Sequence, residues 1–441
     1  MSSIGRTAVV IGAGIAGLAA AGALRPFYER VVVFERDKLP AGAEQRPSIP
    51  QGKHLHILLS GGQRALSQLF PGFERDLLAA GAVRINVAND QCSEVPGYDP
   101  FPQRDLGIHS YSLSRPLLEA CLRDRVRALS GVVVEPGCIV EQIVGSEGRV
   151  KGIVRRRGAQ REEVAADLVV DASARGQLTL NFLAQAGAPT PDVTTVGVDI
   201  GYACTLFTLP KDVLPWSQVF TIPAAPHTTR AAMLIAIEGG RWSLSACGRA
   251  GEYPTADPAQ FMDFLRGLRT RTIVDALQQG ERIGDIELFR FCDSRWRHFE
   301  RLPAFPAGLL PIGDTICRFN PIHGQGMTVA AQQAVILADV LRRASSEPEF
   351  DISARFFEGA SAIVSDAWSM STNRDFVYPQ TRGERPADLA QTLQFGRALN
   401  ALAARDADIH KLMSEVRHML TPNNAIETPR VMARVREFML G

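Results

Sequence analysis

Short apolar runs typical of buried strands recur along the chain and are separated by helical patterns. Residues 7–11, 31–34, 167–171 and 309–312 are rich in valine, isoleucine and leucine, as expected for parallel strands buried on both faces. After the first run comes a glycine-rich segment, residues 12–17, and an Ala/Leu-rich helix is predicted to follow it, to about residue 24. Strands that alternate with helices predict an α/β fold with a parallel sheet.

The pattern changes between residues 196 and 247. Four strand-like segments follow one another there, separated by proline and glycine turns and without an intervening helix. This arrangement predicts an antiparallel sheet that forms a separate layer or domain. Beyond it, a long helix is predicted from the glycine-rich segment near residue 326 to about residue 341, and the last hundred residues have a helical pattern.

The first strand leads into the sequence GAGIAG, whose glycines are Gly12, Gly14 and Gly17, and a helix follows. The second strand ends at Glu35, 21 residues after Gly14. Glycines at this spacing allow a tight turn, leave room for a pyrophosphate and permit close helix–strand packing. The free N–H groups at the start of the helix suit the phosphates, and the acid can accept from ribose hydroxyls. The unit therefore predicts dinucleotide binding.

Two later predicted strands are also followed by short motifs that contain an acid and glycine. Asp171 is followed by ASARG, and Gly313 with Asp314 precedes the segment NPIHGQGM. In an open α/β sheet, ligands lie beyond the carboxyl ends of the strands. A cofactor touched by all three motifs must therefore be long and must be held by segments far apart in sequence.

Composition excludes several classes of protein. The 441 residues are 46% hydrophobic and 22% charged, so a mainly disordered chain is excluded. The net charge of +1 (48 basic minus 47 acidic residues) argues against nucleic acid or an anionic membrane as the partner. Seven cysteines without a CxxC pair indicate reduced thiols in a cytoplasmic protein. Residues 8–24 are uncharged, but their glycines argue against a signal peptide, and no membrane span is expected.

Taken together, these motifs resemble the flavin-dependent aromatic hydroxylase superfamily, which has the para-hydroxybenzoate hydroxylase fold. The matching segments are GAGIAG, the strand-end Glu35, SRPLLE around Arg115, VVDASARGQ around Asp171 and GDTICRFNPIHGQGM. With PQGKHLHILL, they are most similar to bacterial polyether polyene epoxidase-like enzymes, over most of residues 5–345. The DxSxRG sequence replaces the Asp-Gly of the aromatic hydroxylases and is similar to flavin halogenases, prenyl reductases and the epoxidase-like group.

The resemblance implies a Rossmann-like FAD-binding domain with an inserted antiparallel β-sheet substrate domain and a helical C-terminal region. The FAD-binding domain is expected in two parts, residues 1–185 and 286–343. Residues 186–285 are expected to form the substrate domain, to which residues 74–103 also contribute. Residues 344–441 are expected to form the helical C-terminal region.

The same resemblance implies the cofactor contacts. The glycine-rich turn would hold the pyrophosphate of FAD, and Glu35 would hold the adenosine ribose. Arg115 would reach the phosphates or the ribityl chain, Asp314 would bind the ribityl chain, and residues 321–327 would line the isoalloxazine ring. No catalytic residue and no metal ligand are predicted. The predicted cofactor-binding residues are Gly12, Ala13, Gly14, Gly17, Glu35, Arg36, Arg46, Arg115, Asp171, Asp314, Pro321, Gly324, Gly326 and Met327.

Four other residues have more than one reading. Lys53 could correspond to a halogenase lysine, but the Trp-x-Trp-x-Ile signature of halogenases is absent, which favours a surface or loop contact. His54 and His56 have no further Cys/His cluster nearby, so packing or loop hydrogen bonding is favoured over metal binding. His323 lies inside the predicted flavin loop, where contact with the pocket is favoured over acid–base catalysis.

The activity implied is that of an FAD-dependent monooxygenase. It would insert one oxygen atom of O2, by epoxidation or hydroxylation, into an apolar natural-product intermediate through a flavin C4a-hydroperoxide. NAD(P)H would be the reductant, binding transiently because the chain has no second GxGxxG. Two alternatives stay open: a flavin-dependent reductase of prenyl-type double bonds, and a non-redox FAD-containing scaffold or cyclase.

Overall fold

The computed structural model describes residues 3–347 and 349–440. The strands, in chain order, are β1 (Gly5–Ile11), β2 (Tyr28–Glu35), β3 (Val83–Asn86), β4 (Gln91–Glu94), β5 (His109–Ser112), β6 (Val132–Pro136), β7 (Ile139–Ser146), β8 (Arg149–Arg157), β9 (Gln160–Ala165), β10 (Leu168–Asp171), β11 (Val193–Thr208), β12 (Gln218–Thr221), β13 (Ala231–Ile237), β14 (Arg241–Arg249), β15 (Glu281–Arg297), β16 (Leu309–Pro311) and β17 (Cys317–Arg318). The helices are α1 (Ile15–Leu24), α2 (Ser60–Leu69), α3 (Phe73–Ala79), α4 (Arg115–Arg127), α5 (Gln177–Gln185), α6 (Pro258–Arg266), α7 (Thr272–Leu277), α8 (Gly326–Ala344), α9 (Ile352–Asp375), α10 (Leu389–Arg405), α11 (Ala407–Arg417) and α12 (Pro429–Leu440).

The first of the two main sheets is parallel and has the strand order β16-β10-β1-β2-β6. Alternate side chains of its strands point to opposite faces. Val10 and Val33 pack with α1, α2, α4 and α8, whereas Val9 and Val32 pack with α5 and strands β7 and β8. Both faces are therefore covered, which explains why these strands are almost continuously apolar. The predicted α/β fold is confirmed.

A second, larger sheet has the order β17-β15-β11-β14-β13-β12-β4 and is antiparallel except where β4 joins β12. One face packs against α6 and α7 in a core that includes Leu234, Leu244 and Phe261. The opposite face carries Tyr202 and Cys247 and packs with Phe376 of the C-terminal region. The predicted antiparallel sheet is confirmed.

Strands from outside residues 186–285 also belong to this sheet. The long strand β15 pairs with β11 from Glu281 to Arg297, so it crosses the predicted boundary at residue 285. Polar residues alternate with apolar ones along much of β15, and no proline punctuates it, so its pattern lacks the short apolar signature of the other strands. β4 lies within the predicted 74–103 stretch, and β17 lies far downstream.

Helices complete the chain after α8, as predicted. α9 packs on α8 through Phe356 and Ala360, within the same core as the parallel sheet. α10, α11 and α12 form a separate small core that includes Ala403 and Val435 and also contains Phe101. Among the described residues, no helix has the length and apolar character needed to cross a membrane.

Candidate functional site

Three motifs that are far apart in sequence meet at one edge of the parallel sheet. β1, β10 and β16 are neighbours, so their carboxyl ends lie side by side. A Cβ added to Gly12, after β1, would lie 2.8 Å from the carbonyl oxygen of Ala172, after β10. A Cβ added to Gly313, after β16, would lie 2.8 Å from the Cβ of Ala16 in the first turn of α1. Backbone therefore meets backbone at Gly12, whereas at Gly313 the backbone meets the side chain of Ala16; both positions have a positive φ that favours glycine.

The glycines of the first motif have distinct surroundings. Gly12 has φ +102°, a conformation that favours glycine, and its N–H donates to the carbonyl of Phe34 at 2.8 Å. A Cβ on Gly17 would lie 1.9 Å from the carbonyl oxygen of Gly12, so the helix presses directly on the turn. A Cβ on Gly14 would meet no heavy atom within 4 Å. The open space therefore lies beside Gly14, where α1 begins without a capping side chain.

Glu35 closes β2 beside this turn and is 5% exposed. Its Oε2 accepts from the N–H of Ala13 at 2.8 Å, and its Oε1 accepts from the N–H of Asp37 at 3.0 Å. Nη2 of Arg46 lies 2.6 Å from Oε2. A carboxylate has about four acceptor positions, so these contacts orient Glu35 and leave capacity for a further donor.

Arg46 links Glu35 to a second buried acid. Its guanidinium also contacts Glu119 and Asp37 and donates to the carbonyl of Ala13 at 3.1 Å. Burial acts to lower the pKa of Arg46, but Glu35 and Glu119 outweigh burial and raise it. Arg46 is therefore a permanent cation beside the glycine-rich turn.

Arg115 is the first residue of α4, after the capping side chain of Ser114, which accepts from the N–H of Leu117 at 3.3 Å. Its Nη2 lies 3.5 Å from Glu119, while its buried Nε has no hydrogen-bond partner among the described residues. Burial lowers the pKa of Arg115, whereas Glu119 and Asp314 act to raise it. The site therefore contains a buried donor with unused capacity.

Asp314 follows β16 and is half-buried. Neither of its carboxylate oxygens has a hydrogen-bond partner within the part of the chain that the structure describes. Burial raises the pKa of Asp314, whereas Arg115 and Arg318 act to lower it. A Cβ on Gly326 would lie 3.8 Å from Oδ1 of Asp314. A free acceptor thus lies between Arg115 and the start of α8.

Residues 320–326 form the loop that leads into α8, which we call the 320–326 loop. Asn320 caps its single 3₁₀ turn, accepting at Oδ1 from the N–H of Ile322 at 3.3 Å. Gly324 then has φ +70° and reverses the chain. α8 begins at Gly326 without a side-chain cap, and the buried Oε1 of Gln325 has no partner among the described residues.

Asp171 and Arg36, two of the predicted cofactor-binding residues, make hydrogen bonds within the protein. Asp171 is fully buried, and its oxygens accept from the N–H of Ser173 at 3.0 Å and from the N–H and hydroxyl of Thr179 at 3.2 and 2.6 Å. It thereby fixes the turn after β10 and the start of α5. Arg36 is exposed and reaches the carbonyl of Ser48 at 3.4 Å. The structure does not bring these two side chains together with the free donors and acceptors described above.

The antiparallel sheet supplies an apolar wall that faces the 320–326 loop. Ile322 packs in the same cluster as Tyr202 and Phe289. Nδ1 of His54 lies 2.8 Å from the hydroxyl of Tyr202, and its buried Nε2 has no partner in the described residues. Burial, and to a lesser extent His56, lowers the pKa of His54 to about 2. His54 is therefore a neutral side chain in this wall.

Sequence reasoning missed several of these residues. It gave no role to Tyr202, Arg249 or Asp375, whereas His54 packs and hydrogen-bonds as expected. Arg249 and Asp375 meet as a buried ion pair at 2.5 Å beside the 320–326 loop. Their partners are distant in sequence, so no local motif marks them. The available signal was Arg249, a buried charged residue that ends the mostly buried strand β14.

Candidate metal ligands and Lys53 were the remaining open points of the sequence. The described residues contain no group of three or more histidines, cysteines or acids that could hold a metal ion. Lys53 pairs with Glu287 on β15 at the surface, where its side chain is 48% exposed. This matches the expected surface or loop contact.

The site meets the demands of a long dinucleotide that carries a polar chain and a flat ring. Along one edge it offers an oriented acid at Glu35 after β2, open space beside Gly14 after β1 and, beyond β10, an unpartnered acceptor at Asp314 after β16. An uncapped helix start at Gly326 lies beside Asp314. The residues present therefore fit FAD.

Comparison with known proteins supports this reading of the fold. No protein-family model matches the chain. Protein Rv3254 of Mycobacterium tuberculosis is 34% identical over 403 residues, which cover 86% of this chain and 83% of that protein. The chain belongs to the Rv3254 family. At this identity and coverage, the two chains are expected to share one fold.

Solved structures with the same fold include flavin enzymes. A flavoprotein/dehydrogenase from Cytophaga hutchinsonii has a TM-score of 0.71 at 16% identity and covers 99% of both chains. The flavin-dependent brominase Bmp2 has a TM-score of 0.69 at 15% identity, covering 99% of this chain and 98% of its own. The p-nitrophenol 4-monooxygenase PnpA from Pseudomonas putida has a TM-score of 0.64 at 17% identity, covering 96% and 100%. This member of the Rv3254 family therefore has the fold of flavin-dependent halogenases and monooxygenases.

Proposed function

We propose that this protein is an FAD-dependent monooxygenase that transfers one oxygen atom of O2 to an apolar, alkene-bearing or aromatic natural-product intermediate, with NAD(P)H as reductant. The observation that carries the proposal is the convergence of the glycine-rich turn, Glu35, Asp314 and the 320–326 loop at one sheet edge. Along the edge, Glu35 comes first, the glycine-rich turn next and Asp314 last. This is the order that an adenosine ribose, a pyrophosphate and a ribityl chain would need.

The chain's own residues would divide the binding work. The backbone at Gly12, Gly14 and Gly17 and the start of α1 would hold the pyrophosphate, because unpaired N–H groups and the helix dipole favour anions there. Glu35 would accept from the adenosine ribose, with Arg46 holding its carboxylate in orientation. Beyond these residues, Arg115 and Asp314 would donate to and accept from the ribityl region.

The bound FAD would supply the chemistry, which is acceptance of two electrons from a nicotinamide and activation of O2. Around the ring, the protein would contribute position and polarity. The 320–326 loop would lie along it, and the uncapped start of α8 at Gly326 would favour negative charge nearby. The wall formed by Tyr202, Phe289 and Ile322 would exclude water and bind the apolar substrate.

Acid–base groups have a minor part in this proposal. Burial lowers the pKa of His323 although Asp375 acts to raise it, and His54 is neutral. A lowered pKa makes a histidine a weaker proton acceptor, so neither residue is assigned the role of general base. This favours oxygen transfer to an electron-rich double bond, for which the substrate need not lose a proton.

The cofactor is tested by releasing it from purified or reconstituted protein with heat and identifying it by chromatography. FAD is expected, because Glu35 and the glycine-rich turn address an adenosine diphosphate that FMN lacks. Recovery of FMN alone, or no flavin uptake from a saturating FAD solution, contradicts the proposal.

The reaction is tested by mass spectrometry of products made under ¹⁸O2 from candidate intermediates. One ¹⁸O atom per product, with matching consumption of NAD(P)H and O2, is expected. A saturated product formed without O2 consumption would favour the prenyl-reductase alternative. Turnover without nicotinamide or O2 would favour the scaffold or cyclase alternative, and a product halogenated in the presence of bromide or chloride would favour a halogenase.

A further inference from the structure

A single buried carboxylate joins three parts of the chain. Asp375 is the last residue of α9 and is 0% exposed. Its Oδ1 accepts from Nη2 of Arg249 at 2.5 Å, from Nδ2 of Asn320 at 2.9 Å and lies 3.3 Å from Nε2 of His323. Its backbone carbonyl accepts from the hydroxyl of Thr381 at 2.6 Å. The C-terminal helices, the antiparallel sheet and the 320–326 loop therefore meet at one atom.

Asp375 and Arg249 form an ion pair that is buried on both sides. Arg249 is 6% exposed at the end of β14, and its guanidinium lies 4.7 Å from the ring centre of Tyr378. A buried charge is costly unless it is paired and hydrogen-bonded, so neither partner can leave without stranding the other. This pair fixes the end of α9 against the face of the sheet that carries Tyr202.

Asp375 also holds the 3₁₀ turn of the 320–326 loop at both ends. Asn320 is fully buried; its amide donates to Asp375, and its carbonyl accepts from the N–H of Ile322. The orientation of this one amide therefore sets the 3₁₀ turn, and His323 at the end of the turn reaches the same carboxylate oxygen. Both ends of the turn are thus held before the chain reverses at Gly324 and enters α8.

We propose that Asp375 is a positioning residue that holds the 320–326 loop in place, so that the C-terminal helical region is an integral part of the cofactor site. The conformation of the loop follows from contacts within this chain, without a bound cofactor. The consequence for bound flavin rests on the proposed function, since that function puts the ring beside the loop.

A matched control lies elsewhere in the same sheet. Glu94 on β4 is 3% exposed and is held by the hydroxyls of Thr221, Thr270 and Thr272. It is an equally buried carboxylate with three hydrogen-bond donors, but it has no contact with the 320–326 loop. Glu94→Gln therefore reports what loss of a buried carboxylate does to the fold in general.

The decisive variant is the double substitution Arg249→Met with Asp375→Ala, because removing Asp375 alone would leave a buried cation unpaired and could unfold the chain. Hydrogen–deuterium exchange is measured on the peptide covering residues 320–327, in FAD-free protein. We expect exchange there to accelerate by about tenfold or more in the double variant, with α1 unchanged. In Glu94→Gln, exchange in this peptide should match the parent.

Flavin provides the second measurement. In the double variant, the dissociation constant for FAD should rise by about tenfold or more, and the visible absorption band of bound flavin should lose fine structure. Both should stay at parental values in Glu94→Gln. Unchanged loop exchange in the folded double variant, or equal acceleration in Glu94→Gln, overturns the proposal. If the parent binds no FAD, the proposed function fails, whereas the exchange measurement still decides the role of Asp375.

Discussion

A Cβ on Gly17 would lie only 1.9 Å from the carbonyl oxygen of Gly12, whereas a Cβ on Gly14 would meet no heavy atom within 4 Å. Within one glycine-rich turn, therefore, one glycine serves packing of the fold and another leaves room beside the start of α1. The two roles have separable consequences.

Gly17→Ala should destabilise the FAD-free protein by about 2–3 kcal/mol, since its Cβ collides with rigid backbone. Gly14→Ala should change the stability of the FAD-free protein by no more than about 1 kcal/mol, because its backbone is compatible with alanine. It should nevertheless weaken FAD binding about tenfold or more, by filling the space for the pyrophosphate. Denaturant unfolding without FAD and flavin titration separate the effects; the reverse ranking would contradict these roles.

Asp314→Asn should stabilise the FAD-free protein at pH 7 while weakening FAD binding. Burial raises the folded-state pKa of Asp314 above its ordinary value of 3.8. Stability from such a group is fully present below the unfolded pKa and is lost as pH rises through the folded pKa. The variant should therefore have the higher melting temperature at pH 7, and the difference should shrink toward pH 4. A gap that widens on acidification would mean that the carboxylate is stabilised in the folded state.

His54 should stay neutral between pH 4 and pH 9, because burial lowers its pKa to about 2. Histidine ring signals followed by NMR across this range should include one that does not shift, and His54→Gln should remove that signal. Tyr202→Phe takes away the hydroxyl that lies 2.8 Å from Nδ1 of His54, so it should cost about 1–3 kcal/mol of stability. A sigmoidal shift of the His54 signal near pH 6.5 would refute a neutral His54.

His323→Gln should lower the rate of oxygen transfer by about tenfold or less, as expected for a positioning contact of roughly 1 kcal/mol. Above pH 6.5 the pH dependence of the rate should be unchanged, because burial lowers the pKa of His323 below this ordinary value of 6.5. Rapid mixing of reduced enzyme with O2 and substrate measures the step. A loss of about 10³-fold with FAD still bound would identify His323 as a catalytic acid or base.

The local motifs of this protein could be predicted from sequence because each depends on neighbouring residues. The glycine spacing and Glu35 belong to one strand–turn–helix–strand unit, and that unit forms as expected. β15 was not anticipated, because its alternating and partly exposed residues carry a weak signal until β11 is available as a partner.

The amino-acid sequence by itself thus determined the α/β core, the antiparallel sheet, the helical C-terminal region and the three motifs at strand ends, since apolar periodicity and glycine spacing act over a few residues. Only the tertiary structure decided how those ends meet, that Asp171 fixes its own turn, and that Asp375 joins Arg249 to Asn320. These contacts span from 8 to 126 residues of sequence, and a buried charge acquires its role from whichever partners folding brings to it.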